Sequence, residues 1–359
     1  MPERGTVAAE AGPGGPAAEL DAYVARVEDE VARRLRPRPG AGVLGPHADA
    51  VVGEVRRLAL APGKRMRPRW VRAAFGAAGG TAPLDDVVLL GAALELYHCA
   101  ALIHDDVIDG ADLRRGQASS HRWWADAHRA SRWRGDADDF GRSVAILAGC
   151  LALGAADTVV AGLPPALQPH WAAMRTATVV GEFAELYATA CGDDGPGVMA
   201  EVARLKTSHY SVVTPLLMGA VLAARDELQE PLREFGEAVG EAFQLCDDLL
   251  DATGTSLTAA KSTGVDAAAG RSTGLLARLT AWEPAIAAEP DMVRRHGLAR
   301  VLLQDPAVLG RVRSTIDDLL DRAGAALDGA ALDPGWDAVL RAAAARLVQA
   351  PVAAVDAHV

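Results

Sequence analysis

Between positions 20 and 35 the apolar residues Leu20, Val24, Val27, Val31 and Leu35 recur every three or four places, the spacing that gathers side chains on one face of an α-helix. The same spacing returns through most of the chain. Groups of proline and glycine punctuate it at 37–45, 79–83, 162–165, 192–197 and 329–334. No series of alternating positions marks a set of strands. The pattern predicts an all-α protein: one helical domain over residues 20–359, preceded by a mobile Ala/Gly/Pro-rich tail over residues 1–19. The longest apolar run, 144–156, contains Gly149 and Gly154 and stops at Asp157. It is too short to span a bilayer and predicts a buried helix, with no transmembrane segment. The segment 255–274, rich in Thr, Ser, Ala and Gly, reads as beginning in a loop. The charged stretch 128–142 reads as an exposed connection or a helix end.

Composition sharpens this picture. Half of the residues are hydrophobic but only 4% are aromatic, so a large core is built mainly from Ala, Leu and Val, as in close-packed helices. A net charge of -11 excludes a general nucleic-acid binder, whose affinity rests on clustered Lys and Arg. Small anionic substrates need only a local basic patch. Cys99, Cys150, Cys191 and Cys246 form no CxxC pair and no zinc-ligand spacing. They read as reduced, mostly buried thiols of a cytoplasmic protein, consistent with an N-terminus lacking the charged-then-apolar build of a signal peptide.

Two acidic clusters share one DDxxD pattern: Asp105, Asp106 and Asp109 in LIHDDVIDGADLRRG, and Asp247, Asp248 and Asp251 in FQLCDDLLDATG. On a helix the first and last acids of each set lie one above the other, where like charges repel unless water or cations neutralise them. Magnesium suits such a face, because it takes one or two carboxylates together with phosphate oxygens. The alternative is a solvated acidic surface. The apolar flanks weigh against that, with Ala100, Ala101, Leu102 and Ile103 before the first set and Phe243, Leu245, Leu249 and Leu250 around the second. Charge at the lip of a core is costly unless neutralised. Candidate phosphate-binding cations are Lys64, Arg65, Arg67 and Arg69 in APGKRMRPRW, and Arg114 and Arg115 just after the first acids. His98, Lys206 with Thr207, Gln244 and Lys261 add polar groups that carry weight only in company.

Taken in order, GKRMRP, HxxxLIHDDVIDxxxLRRG, GExxEL, KTS, FQLCDDLLD and KSTGVD resemble the polyprenyl synthetase family of trans-isoprenyl diphosphate synthases. The resemblance covers residues 63–274 and is closest to the actinobacterial geranylgeranyl-type branch, judging by RWRGDADDFGRSVAILAG. It implies roughly a dozen helices around a deep central cavity, a homodimer, and three magnesium ions with diphosphate bound. Asp105 and Asp109 would bind magnesium on one wall, and Asp247 with Asp251 on the other. Asp106 would join the catalytic acids and Asp248 the substrate-binding residues. Arg114, Lys206 and Lys261 would contact the allylic diphosphate. Lys64, Arg67, His98 and Arg115 would hold isopentenyl diphosphate, and Thr207 and Gln244 would line the reacting centre. The implied reaction ionises an allylic diphosphate and joins the carbocation to isopentenyl diphosphate.

The sequence departs from the family pattern at Cys150, where an Asp is usual, and at Glu182 and Glu185, where Gln and Asp are common. Further departures are Arg271, in place of a lysine, and Thr273-Gly274-Leu275. Product length should follow from the floor of the cavity beside the first acids. Ala100 and Ala101 are small there, and Tyr97, one turn deeper and followed by Leu94, predicts a C20 product, with longer chains as the alternative. A class I terpene cyclase has no use for the second diphosphate site. A non-catalytic partner subunit is disfavoured by the intact second acidic triplet.

Overall fold

Helix α1 (Pro16–Arg34) starts with a proline in its first turn, where the missing N–H costs nothing, and carries Glu19 near its positive end and Arg33 and Arg34 near its negative end. It buries Leu20, Tyr23, Val24, Val27 and Val31, the stripe read from the sequence, and Pro16–Glu19 form its first turn ahead of the expected start. The structure, a computed structural model, describes residues 15–36, 45–114, 116–193, 195–253 and 272–356. The helices that follow are α2 (Gly45–Ala59), α3 (Met66–Ala77), α4 (Leu84–Ile108), α5 (Ser120–Ser131), α6 (Ala137–Val160) and α7 (Gln168–Cys191). Then come α8 (Pro196–Ala203), a π-helical segment (Arg204–Val213), α9 (Thr214–Leu222) and α10 (Gln229–Thr253). The C-terminal part holds α11 (Gly274–Trp282), α12 (Pro284–Ala287), α13 (Met292–Leu302), α14 (Pro306–Leu327) and α15 (Pro334–Asp356).

The bundle is organised around α4, whose residues 90–97 are buried on every side, as in a helix enclosed by others. α1, α3 and α6 pack against it, and α9 closes on α3. This main core contains Leu90, Leu94, Leu96 and Ile103 of α4 with Trp70, Leu216 and Phe235. Truncating any one of its large aliphatic side chains to alanine should cost about 2–5 kcal/mol. A second cluster joins the C-terminal half of α10, through Leu245, Cys246 and Leu249, to α11, α13, α14 and α15. The π-helical segment packs on α7 on one side and on α10, which carries the second acidic triplet, on the other.

Three expectations change. The only strands among the described residues, unforeseen in the sequence, are Leu113–Arg114 (β1) and Gln117–Ala118 (β2), an antiparallel pair turning at Gly116, whose φ of 73° suits glycine. The run 144–156 lies in α6, which is buried on one face only: Ala145, Ala148, Ala152 and Ala156 pack inward while Ile146 and Leu147 stand 48% and 63% exposed. Among the described residues three helices are long and apolar enough to cross a membrane, α6 among them at 24 residues and a mean hydropathy of 1.9, because polar ends extend the apolar run into a long helix. In α4, another of the three, 72% of the apolar window is buried inside the protein. Cys99 and Cys246 are buried, but Cys150 and Cys191 are exposed. Stretch 128–142 behaves as read: α5 ends, an exposed link follows, and Asp136 caps α6 by accepting from the Asp139 amide at 2.8 Å.

Candidate active site

Both acidic triplets sit at helix C-termini. Asp105 and Asp106 occupy the last turn of α4 with Asp109 at its cap, and Asp247, Asp248 and Asp251 fall in the last turns of α10. The helix macrodipole is negative there, so it adds to the repulsion among the carboxylates, which cations from other elements or from ligands relieve. In each triplet the middle acid is buried, and the first and last are partly open.

The first triplet is completed from two other elements. Gly181 lets α7 approach the π-helical segment so closely that a Cβ at that position would lie 2.5 Å from the Lys206 amide nitrogen. That approach sets Glu182 and Glu185 beside Lys206, whose Nζ lies 2.5 Å from Glu185, 2.9 Å from Glu182 and 3.5 Å from Asp105. Burial by itself would lower the Lys206 pKa, but the carboxylates of Glu185, Asp105 and Glu182 outweigh it and hold the ammonium firmly protonated. Burial raises the Glu182 carboxyl against the pull of Lys206, and its Oε1 is enclosed with no hydrogen-bond partner. Asp105, Asp109 and Glu182 each offer an oxygen, all within 4.8 Å of one another. Three hard oxygen donors so close together fit a small divalent cation such as magnesium.

The middle acids do something else. Asp106 accepts from Arg114 Nε at 2.6 Å, while Arg114 Nη2 reaches Asp105 at 2.8 Å, so the β1 arginine is latched to the end of α4. Burial pushes the Asp106 carboxyl up to about 6 despite Arg114, with Asp105 and Asp109 adding to the rise. Asp248 accepts from Gln244 Nε2 at 2.8 Å and from the Leu275 amide at 2.9 Å, joining α10 to the first turn of α11. Gln244 thus orients an acid. Asp248 and Asp251 line a small pocket with Thr273, Leu275 and His296.

The four cations of the 64–69 stretch divide by partner. Arg65, in a left-handed backbone conformation at φ 48°, pairs with Glu28 at 2.8 Å and Glu95 at 3.0 Å, and Arg69 pairs with Asp21 at 2.8 Å. These two are structural. Lys64 is exposed, and among the described residues neither it nor Arg67 has a carboxylate partner. Arg67 is buried, donates to Ser211 Oγ at 2.7 Å and lies 4.4 Å over the Tyr210 ring, leaving Nε without a partner. The Tyr210 hydroxyl is 3.4 Å from His98 Nδ1, so one aromatic ring sets both Arg67 and His98. Thr207 is partly buried beside Lys206. Arg115, Lys261 and Arg271 lie outside the described residues.

A family model for polyprenyl synthetase matches residues 50–291. The chain belongs to the polyprenyl synthetase family. It is 33% identical over 252 residues to nonaprenyl diphosphate synthase of Mycobacterium tuberculosis, covering 70% of this chain and 67% of that one. It is 31% identical to heptaprenyl diphosphate synthase component 2 of Geobacillus stearothermophilus, covering 85% of this chain and 89% of that one. Geranylgeranyl pyrophosphate synthase of Corynebacterium glutamicum, solved with isoprenyl diphosphate and magnesium, superposes with a TM-score of 0.82 at 31% identity, covering 92% of this chain and 99% of that one. The chain is therefore a prenyl diphosphate synthase, an all-α transferase, while its relatives differ in product.

Within that family the departures acquire places. Cys150 stands on the exposed face of α6 with Ile146, Leu147 and Leu151. Glu182 and Glu185 lie in the site as partners of Lys206. Thr273 caps α11 through the Leu276 amide at 3.1 Å, and the Leu275 amide binds Asp248. Along α4, Tyr97, Ala101 and Asp105 share one stripe by helical spacing; Ala101 is partly open, whereas Ala100 is wholly enclosed in the core. Tyr97 is buried, with its ring edge-to-face on Trp171 at 5.6 Å and on Tyr210 at 6.0 Å. Sequence reasoning missed Tyr210 and Trp171. Their one signal was that bulky rings are rare in a chain with 4% aromatic residues.

Proposed function

We propose that this prenyl diphosphate synthase condenses isopentenyl diphosphate with allylic diphosphates of up to C15 and releases the C20 product, geranylgeranyl diphosphate. The observation that carries the reading is the presence of two separate anion-binding arrangements. One is an acid-rich face with Lys206 that suits a metal-bound diphosphate, and the other is a metal-free basic set of Lys64, Arg67 and His98. A cyclase, which ionises a single diphosphate, needs only the first.

Asp105, Asp109 and Glu182 would hold magnesium on one wall and Asp247 and Asp251 on the other, with three ions in the loaded site. Bound there, magnesium neutralises charge growing on the departing diphosphate. The chain's own groups do the rest. Lys206, held protonated by its three carboxylates, is positioned to move from Glu185 to the allylic diphosphate. Arg114 presents its guanidinium at the same edge. Lys64, Arg67 and His98 orient isopentenyl diphosphate so that its double bond faces the allylic carbon, and Tyr210 fixes the angle of Arg67. The apolar walls keep water from the carbocation.

The length assignment rests on depth. Tyr97 lies about 12 Å below Asp105 along α4 at roughly 1.5 Å per residue, close to two isoprene units at about one unit per 5.4 Å turn. With the reacting unit level with the acids, C15 is the longest primer. The proposal includes a cytoplasmic homodimer formed through the exposed apolar faces of α6 and α7, where Ile146, Leu147, Val179, Phe183 and Tyr187 stand open.

Purified protein incubated with magnesium, labelled isopentenyl diphosphate and C5, C10 or C15 primers tests this. A linear C20 diphosphate is expected. Longer chains would reject the floor but keep the reaction. A hydrocarbon without incorporated label would mean a cyclase, and no reaction would mean a partner subunit.

A further inference from the structure

Asp157 ends the apolar run of α6, and nothing in the acid or basic sites uses it. Its Oδ1 accepts the indole N–H of Trp171 at 2.9 Å, and both its oxygens take Arg175 Nη1, at 2.8 and 2.7 Å. Trp171 and Arg175 are one turn apart on α7, so a single carboxylate fixes two neighbouring side chains of that helix. The indole so held is 4% exposed and presses edge-to-face on Tyr97 of α4, which in turn meets Tyr210 of the π-helical segment. Three rings from three elements therefore meet at the level of Tyr97, while α4 and α7 make little close backbone contact of their own.

We propose that Trp171 forms the opposite half of the floor that limits chain growth and that Asp157 is a positioning residue for product length, acting through the indole N–H. The inference rests on the transferase reading above and deepens it. Tyr97 stops a growing apolar tail from the α4 wall only, and the facing indole supplies the α7 side. An indole whose N–H is bonded to a carboxylate behind it cannot turn without leaving a buried donor unsatisfied. Arg175, bonded to both oxygens of Asp157, holds the acceptor in place behind the indole. Loss of the acceptor frees the indole to swing and opens about one more turn of depth, 5.4 Å or roughly one isoprene unit.

The test compares Trp171→Ala, Asp157→Ala and Asp157→Asn with the native protein, reading product length and, separately, the rate of the first condensation on a C10 primer. Both alanine variants should shift the main product from C20 to C25 or longer with the first condensation unchanged. Asp157→Asn, which keeps an acceptor for the indole, should restore the native length. Native lengths from both alanine variants, or slowing on the C10 primer with no change in length, would overturn the floor. If Trp171→Ala fails to fold by circular dichroism, Asp157→Ala decides the matter, because its partly exposed position leaves the core intact. No label incorporated by the native protein would overturn the transferase reading itself, and the floor with it.

Discussion

The two DDxxD triplets are written alike and housed differently. At the end of α4 the middle acid is held by a cation, Arg114, and the outer acids gain a third carboxylate, Glu182, and an ammonium, Lys206, from α7 and the π-helical segment. At the end of α10 the middle acid is held by neutral donors, the Gln244 amide and the Leu275 N–H. In both, the buried middle acid anchors the chain that follows while the outer two face the opening. One motif thus combines a partly open outer pair with an internal tether. Its surroundings decide whether charge at the site is balanced by protein groups or left for ligands.

The sharpest break would come from the outer acids. Asp105→Asn and Asp247→Asn should each slow incorporation of isopentenyl diphosphate by more than about 100-fold, since even partners of metal ligands cost 10–100-fold. A native rate for either in magnesium-limited buffer would remove that wall from the site. Next, Arg114→Ala leaves the buried Asp106 carboxylate without its cation and should cost about 3 kcal/mol of stability, measured by urea unfolding at pH 8 in chelator. The folded protein already favours protonated Asp106, whose pKa of about 6 lies above the ordinary carboxylate value. Its contribution to stability is therefore fully present below about pH 4 and is lost as pH rises through 6. The deficit of the variant should shrink at pH 5; a deficit equal at both pH values would mean that Arg114 acts elsewhere. Asp248→Ala should cost less, about 1–3 kcal/mol, because it leaves only neutral donors unpaired. If it cost more than Arg114→Ala, the contrast between the two tethers would fail. Smallest is Glu182→Gln, expected to weaken manganese binding, read by electron paramagnetic resonance, by about tenfold. Unchanged affinity would exclude Glu182 from the metal.

Helix positions and the two acid clusters are legible in the sequence because both follow from spacing along one helix. The partition of the basic stretch is not: Lys64, Arg65, Arg67 and Arg69 are equivalent on paper, and only Glu28, Glu95 and Asp21, brought in from other helices, mark Arg65 and Arg69 as structural. The motif glycine Gly181 gains its reason only from the backbone of Lys206 lying against it. α6 reads as fully buried in sequence because its outer face is as apolar as its inner one, and composition carries no direction.

The sequence by itself determined an all-α chain, the repeated acidic pattern and the family, since these depend on periodicity and order along a single strand of residues. Which acid of each triplet turns inward, which cations remain without carboxylates, and the meeting of Tyr97, Trp171 and Tyr210 were decided by tertiary structure alone. Each depends on distances between groups far apart in the chain, and burial, charge pairing and ring contact act through space, with no regard to position in the sequence.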